Sequence, residues 1–542
     1  MGSGRSCCKA EPPAEAQEVC AGFPVHPPDC PKDGSSAEAP DLPRDLSSAT
    51  EQGGVSSLDH GTSRATLSTI ARYRLNHFQI EEELLRGIPL HMSLRGLGKL
   101  WLTSPVDLSE RARALLWHRS RQVKQLDIFY SHTWHTPGWR KVLALWVQHG
   151  AWKFLLGWLL GVILGVALDA TMEIPTLVLP GPSIWIGGFL GSMLGLLTSP
   201  YTAAWAACRR KAEEMCFLDV VCINQTDPDT MQRGIYGLGG FLAASSEMHI
   251  LWSGPYFSRL WCVFELAAFF KANPCGKILL KPLFVENGLL FVVFAIYILR
   301  VIDEWFVNNF QERTVVAILV QVLGLIPSYM LVHFLRRLLN EKHHLLYSLR
   351  SFDLANVTCR CAADKECIEH VIRTWYGSPA SFMQHVRGPL ADELTKPFSR
   401  NNLPGSFWLM IATPFVSFNM AGFWVERRMP TSSTDDVAKM FLTVCIANSV
   451  LCVHYIQLTY FICDRFAAPA GRCLDYGKTL LIWVCLSFVF LGMFGLSSFV
   501  RRQVLAASVM YAVATVAMSF VITHNSWRRR FRASPPEEAI EI

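Results

Sequence analysis

The sequence predicts an α-helical membrane protein of about eight spans that carries one cytosolic α/β domain, itself interrupted by a membrane hairpin. Three observations point there. Of the 542 residues 51% are hydrophobic and only 17% are charged, where soluble domains average about 25% charged residues. Several apolar runs are each long enough to cross a hydrocarbon core of about 30 Å. Shorter apolar runs at 126–130, 215–223 and 248–252, bounded by polar turn residues, have the length of buried strands instead.

Residues 1–65 are rich in Pro, Ser, Ala, Gly, Asp and Glu and poor in large apolar side chains. Such a segment cannot offset its ordering entropy and is expected to be a disordered tail. It lacks the apolar core of a signal peptide. Met1-Gly2-Ser3-Gly4-Arg5-Ser6 fits the N-myristoylation pattern with Gly2 as acceptor, and Cys7 and Cys8 are placed for palmitoylation. Two such signals give stable anchoring to membrane lipids where one does not; a tail that merely begins Met-Gly has the same sequence. Residues 66–125 read as a polar, helical cytosolic segment punctuated by Leu75, Phe78, Ile80, Leu84 and Leu85.

The α/β domain is expected over 126–282, with the membrane hairpin 151–207 inside it. In the hairpin, Gly157, Gly161 and Gly165 recur every fourth residue on the outgoing span. Gly187, Gly191 and Gly195 repeat that spacing on the returning one. Small residues at this interval let helix backbones approach closely in lipid, so the two spans are expected to pack glycine face to glycine face. Two further spans fall in 283–334, a cytosolic segment in 335–405, four spans in 406–523, and a basic then acidic cytosolic tail in 524–542.

Lys/Arg bias orients the spans. Arg209, Arg210, Lys211, Arg336, Arg337, Arg465, Arg472, Lys478 and the arginines at 528–530 and 532 share one side of an eight-span arrangement. That side is then cytosolic and holds both termini. Arg427, Arg428, Arg501 and Arg502 fall opposite. The net charge of +6 is modest and its basic residues flank apolar runs, which suits membrane orientation and gives no footprint for nucleic acid. The 17 cysteines are scattered, as free thiols rather than a disulfide framework. Cys359, Cys361, Cys367 and His370 lie close in sequence, but their spacing is not a finger pattern and no metal site is expected.

Within the α/β unit, Met215 to Ile223 reads as a buried parallel strand. Asn224 to Asp229 reads as a loop able to cap the next helix. Met248 to Trp252 is a short strand, and Tyr256 to Phe270 a helix with Trp261, Phe264, Leu266 and Phe269 among its apolar positions.

Three of these segments carry a resemblance. Phe129-Tyr130-Ser131-His132-Thr133-Trp134 is similar to the first strand and loop of the TIR-like superfamily. Phe217-Leu218-Asp219-Val220-Val221-Cys222-Ile223-Asn224-Gln225 resembles the W-I-D-x-x-C-I-N-Q signature of heterokaryon-incompatibility (HET) domains. Tyr256 to Leu266 resembles their Y-F-x-R-x-W-x-x-x-E helix, and plant TIR domains have a similar Ser-x-x-Trp-Cys-x-x-Glu-Leu arrangement. The motifs span 126–135 and 215–270, under a fifth of the chain. The departure is the membrane hairpin, which stands where the family has one soluble segment.

The resemblance implies a flavodoxin-like fold and, from catalytic TIR domains, cleavage of NAD⁺ at the nicotinamide–ribose bond, with NAD⁺ as substrate rather than cofactor. Glu265 would stabilise the oxocarbenium-like state. Ser131 and Trp134 lie where open α/β sheets place ligand-contacting loops. Asp219, Ser258, Trp261 and Cys262 complete the substrate-binding set. Each has a plainer reading: Glu265 paired with Arg259, Trp261 in the core, Cys222 and Cys262 as small buried groups, His132 and His135 as hydrogen-bonding residues. Many family members act by self-association, so a non-catalytic homo-oligomeric interaction module clustered by its membrane region is the second reading. A transporter or channel with a cytosolic sensor is the third. His454, Gln457 and Gln321 are polar groups within spans, but no Asp, Glu, Lys or Arg lies mid-span.

Overall fold

The computed structural model describes residues 78, 80–103, 108–171, 181–202, 213–310, 314–359, 362–399, 403–429 and 431–532. The tail with Gly2, Cys7 and Cys8, the basic triplet Arg209, Arg210 and Lys211, and residues 533–542 lie outside these.

Among the described residues six strands form one sheet: β1 (Arg86–Pro89), β2 (Arg121–Gln122), β3 (Leu126–Ser131), β4 (Met215–Phe217), β5 (Ser245–Trp252) and β6 (Lys277–Pro282). Their order is β2-β1-β4-β3-β5-β6. β4, β3, β5 and β6 are parallel, in register at Ile128↔Cys216, Ser131↔Ile250 and Trp252↔Pro282. β1 joins β4 antiparallel, and β2 extends the edge from β1. Chain order therefore reverses direction at β3: the chain first moves to β4 on one side, then to β5 on the other. The segment 66–125, read as helical, holds helices at Leu90–Ser93, Arg95–Leu102 and Glu110–Trp117, and it also supplies two strands to the sheet edge.

The helices used below are α1 (Gly138–Thr171), α2 (Pro182–Leu197), α3 (Pro228–Tyr236), α4 (Leu238–Ala243), α5 (Leu260–Ala272), α6 (Leu283–Phe310), α7 (Thr314–Arg350), α8 (Ala362–Tyr376), α9 (Gly405–Arg428), α10 (Thr434–Arg465), α11 (Arg472–Arg501) and α12 (Leu505–Arg532). α3 begins as its sequence suggests: the Asp227 carboxylate accepts from Thr230 N at 3.1 Å, and Pro228 occupies the first helical position.

Both faces of the sheet are covered, as parallel strands require. Phe129, Phe217, Met248 and Ile250 pack with α3, α4, α5 and the 345–394 segment, including Leu345, Ile368, Val371 and Phe382. Ile128, Tyr130, Cys216 and Leu251 face the other way, onto α1, α6 and α9. Val142, Leu145, Val147 and Phe154 of α1 are all buried there, each worth about 1.5–3 kcal/mol of transfer free energy.

One long helix therefore does two jobs. The first half of α1 is the crossover helix lying on the sheet, and the second half is the outgoing leg of the hairpin, with no break between. Near its start, Lys141 lies within electrostatic range of Asp219 at the carboxyl end of β4. Twelve residues on, Lys153 is within range of His91, whose neighbour Glu213 precedes β4. Twelve residues of helix rise about 18 Å, the length of a short strand. α1 thus runs back over the sheet, and its apolar continuation emerges beyond the amino ends of the strands.

In the hairpin the glycines meet backbone to backbone. A Cβ built at Gly161 would collide with the Gly187 carbonyl, one at Gly157 with that of Gly191, and one at Gly165 with that of Ser183. Gly195 lies equally close to the Lys153 carbonyl.

Among the described residues six helices are long and apolar enough to cross a membrane, by length and composition: Gly138–Thr171, Leu283–Ile302, Gly405–Arg428, Thr434–Arg465, Cys473–Arg501 and Leu505–Ile522. They mark a multi-pass membrane protein. α2, with 16 residues, is apolar but shorter. Ion pairs hold the legs at both ends. Asp169 meets Arg428 at 3.1 Å at the ends remote from the sheet. At the other ends, buried Arg336 meets Asp475 at 2.9 Å and Lys342 meets Asp464 at 2.8 Å.

Candidate functional site

The carboxyl ends of β3 and β5 flank the point where chain order reverses, and open α/β sheets bind ligands at such crevices. Here β3 ends at Ser131 and the loop 132–137 leads into α1. β5 ends at Trp252, and the segment 253–259 leads through a 3₁₀ turn (Tyr256–Ser258) into α5. The two loops are tied together by a hydrogen bond between Thr136 Oγ1 and Ser253 Oγ.

Glu265 stands one and a half turns into α5. It accepts a hydrogen bond from Ser131 Oγ. Ser131 Oγ also meets Tyr256 Oη at 2.5 Å. With the seryl proton directed at Glu265, the tyrosine hydroxyl donates to Ser131, and the three groups form one buried relay. Ser131 and Tyr256 are fully enclosed, whereas Glu265 keeps a partial opening to solvent. Burial pushes its carboxyl up to about 8, the bond from Ser131 opposes the rise, and the Asp219 charge adds to it.

Trp134 and Asp219 form the second half of the site. Trp134 Nε1 donates to Asp219 Oδ2 at 2.9 Å. Asp219 does not sit within a strand, as read from the sequence: β4 stops at Phe217, and Asp219–Cys222 is a single helical turn beyond its carboxyl end. This places the carboxylate in the crevice rather than along the sheet edge. Cys262 is buried on the first turn of α5, its Sγ 3.6 Å from the His132 carbonyl. Burial and the neighbouring Glu265 push its thiol up, so it is a protonated thiol and not a nucleophile. Burial likewise pushes the Cys222 thiol up to about 12.

Two residues of the set are placed otherwise. Ser258 is exposed; its Oγ donates to the Pro255 carbonyl at 2.8 Å and its own carbonyl accepts from Thr358 N at 2.8 Å. The serine precedes the first turn of α5, so helical spacing does not carry it to the face of Glu265. Trp261 sets its ring edge against Phe264 at 6.1 Å, and Phe264 in turn meets Trp375 at 5.6 Å.

Three residues at the site were not singled out for it from sequence. Tyr256 completes the relay. Lys141 is fully buried, with Nζ 4.7 Å from the centre of the Trp134 ring. His132, read only as a hydrogen-bonding residue, is buried between Trp101 and Trp134 at ring distances of 5.5 and 4.9 Å. Burial and the Lys141 charge hold it well below the usual histidine range, so it is neutral. Among the described residues no cluster of three or more His, Cys, Asp or Glu could hold a metal ion.

Comparison with known proteins found no matching family model, no matching curated protein and no matching solved structure.

Proposed function

We propose that this is a membrane-anchored signalling protein whose TIR/HET-like domain cleaves NAD⁺ at the nicotinamide–ribose bond. One observation carries the reading: a partly accessible carboxylate, Glu265, is bonded to Ser131 at the strand-order reversal. The parallel strands run 2-1-3-4 when counted from β3, the start of the flavodoxin-like order. That order is the one the motif resemblance implies.

The chemistry follows from the bond. As C1′–N lengthens, its electron pair passes to the nicotinamide nitrogen and cancels the ring's positive charge, while positive charge grows on the ribose. Ionised Glu265 stabilises that growing charge. In the free protein Glu265 binds a proton near neutrality; the cationic pyridinium of the substrate favours its ionised form. Water then adds to C1′, and its proton leaves to Glu265 or solvent, giving nicotinamide and ADP-ribose. Ser131 and Tyr256 position the carboxylate.

In the same reading the chain has eight spans, both termini are cytosolic, and the domain self-associates. The test is nicotinamide release by the full chain in lipid nanodiscs. Release by the wild type and its loss in Glu265→Ala support the enzyme. No release from either, at high protein density, leaves the interaction module as the function.

A further inference from the structure

Lys141 is a buried cation. Its side chain has no solvent exposure, and among the described residues Nζ has no hydrogen-bond partner. An ammonium in that state forfeits hydration without replacement, which is costly unless a ligand supplies what is missing. The ring of Trp134 provides a cation–π contact at 4.7 Å, and the Asp219 charge also acts on it.

A second orphan lies beside it. His132 bonds the Tyr130 carbonyl with one ring nitrogen, while Nε2 is buried and, among the described residues, has no hydrogen-bond partner. With Nδ1 carrying the proton for that bond, Nε2 is an acceptor. Both orphans flank the indole of Trp134, which is itself partly exposed and tethered to Asp219. Lys141 also belongs to the first turn of the 34-residue α1, where helix amides and dipole favour an anion.

We infer that the crevice takes a soluble ligand bearing a phosphate-type anion next to a hydroxyl, the anion seated on Lys141 and the hydroxyl on His132, with the Trp134 indole moving aside to admit it. A phosphorylated sugar, as in a nucleoside diphosphate, has this pairing. A lipid headgroup does not reach the seat, because α1 carries the membrane legs away beyond the opposite end of the sheet. The inference rests on the proposed reading of the crevice as a ligand site, but not on any bond being cleaved there.

The test is equilibrium binding of ADP, adenosine and inorganic pyrophosphate to the full chain in lipid nanodiscs, for wild type, Lys141→Met and Lys141→Arg. Methionine keeps the apolar stem and removes the uncompensated charge, so the variant folds at least as stably as the wild type. ADP is expected to bind the wild type more tightly than adenosine. Its affinity should fall at least tenfold in Lys141→Met and recover in part in Lys141→Arg. Equal binding of ADP and adenosine, an unchanged ADP affinity in Lys141→Met, or no ADP binding at millimolar concentration overturns the assignment. Liposomes with acidic headgroups that compete with ADP would overturn the soluble source. The two readings separate cleanly: if Glu265→Ala and wild type both lack nicotinamide release while ADP binding still depends on Lys141, the catalytic reading fails and the anion seat stands.

Discussion

Replacing Glu265 by glutamine converts its buried environment into a measurable pH dependence. The carboxyl is pushed from 4.5 to about 8 by burial. A carboxyl whose folded value is raised contributes stability that is fully present below its unfolded value and is lost as pH rises through the folded one. The window is therefore from 4.5 to about 8. At about 1.36 kcal/mol per pH unit the full displacement corresponds to about 5 kcal/mol, and the partial opening to solvent reduces this to roughly half. Glutamine can still accept from Ser131 but has no charge to bury. The two proteins should have similar melting temperatures at pH 5. The wild type should then fall behind as pH rises, until at pH 9 the variant is the more stable, by on the order of 5 °C. Thermal unfolding in detergent, followed by tryptophan fluorescence across pH 5–9, reads the difference. A constant gap between the two proteins over that range would refute the placement of Glu265 in a desolvated pocket.

Other perturbations probe the scaffold. Gly161→Val drives a side chain into the Gly187 carbonyl, which cannot rotate away, and should cost at least about 1–3 kcal/mol. Gly492→Val on α11, where the added atom meets nothing within 4 Å, should leave the melting temperature unchanged; equal effects would contradict the glycine-to-glycine contact. Arg336→Ala strips buried Asp475 of its partner and should cost about 3–5 kcal/mol. The pair Arg336→Met with Asp475→Leu should recover most of that loss, and a double variant as unstable as the single one would argue against a coupled pair. For orientation, single cysteines at Ser432, between α9 and α10, and at the exposed Ala470, between α10 and α11, should respond oppositely to an impermeant thiol reagent on intact cells: the first labelled, the second protected. The reverse pattern would place the α/β domain outside.

The parts of the fold that depend on spacing along one helix were readable in advance. The glycine ladders needed only a period of four, and the cap at Asp227 only a short polar loop before Pro228. Parts that depend on tertiary placement were not. Met215 to Ile223 is one apolar run, yet it holds a three-residue strand and then a one-turn helix; continuous burial leaves no periodicity to tell them apart. β1 is four residues, two of them the strand-disfavouring Gly87 and Pro89, and it pairs with a strand more than 120 positions away. At the site, Glu265, Ser131, Trp134 and Asp219 converge because the carboxyl ends of parallel strands share one edge. Ser258 does not, because the 3₁₀ turn breaks the helical phase before α5. Nothing in the sequence around Lys141 marks it as buried; the packing of α1 over the sheet encloses it.

Product analysis in ¹⁸O-labelled water tests most directly which bond is broken. The full chain on liposomes, given NAD⁺, should yield nicotinamide and ADP-ribose with the label on the anomeric hydroxyl. Nicotinamide mononucleotide and AMP, with the label in phosphate, would show attack at the pyrophosphate and contradict the role assigned to Glu265.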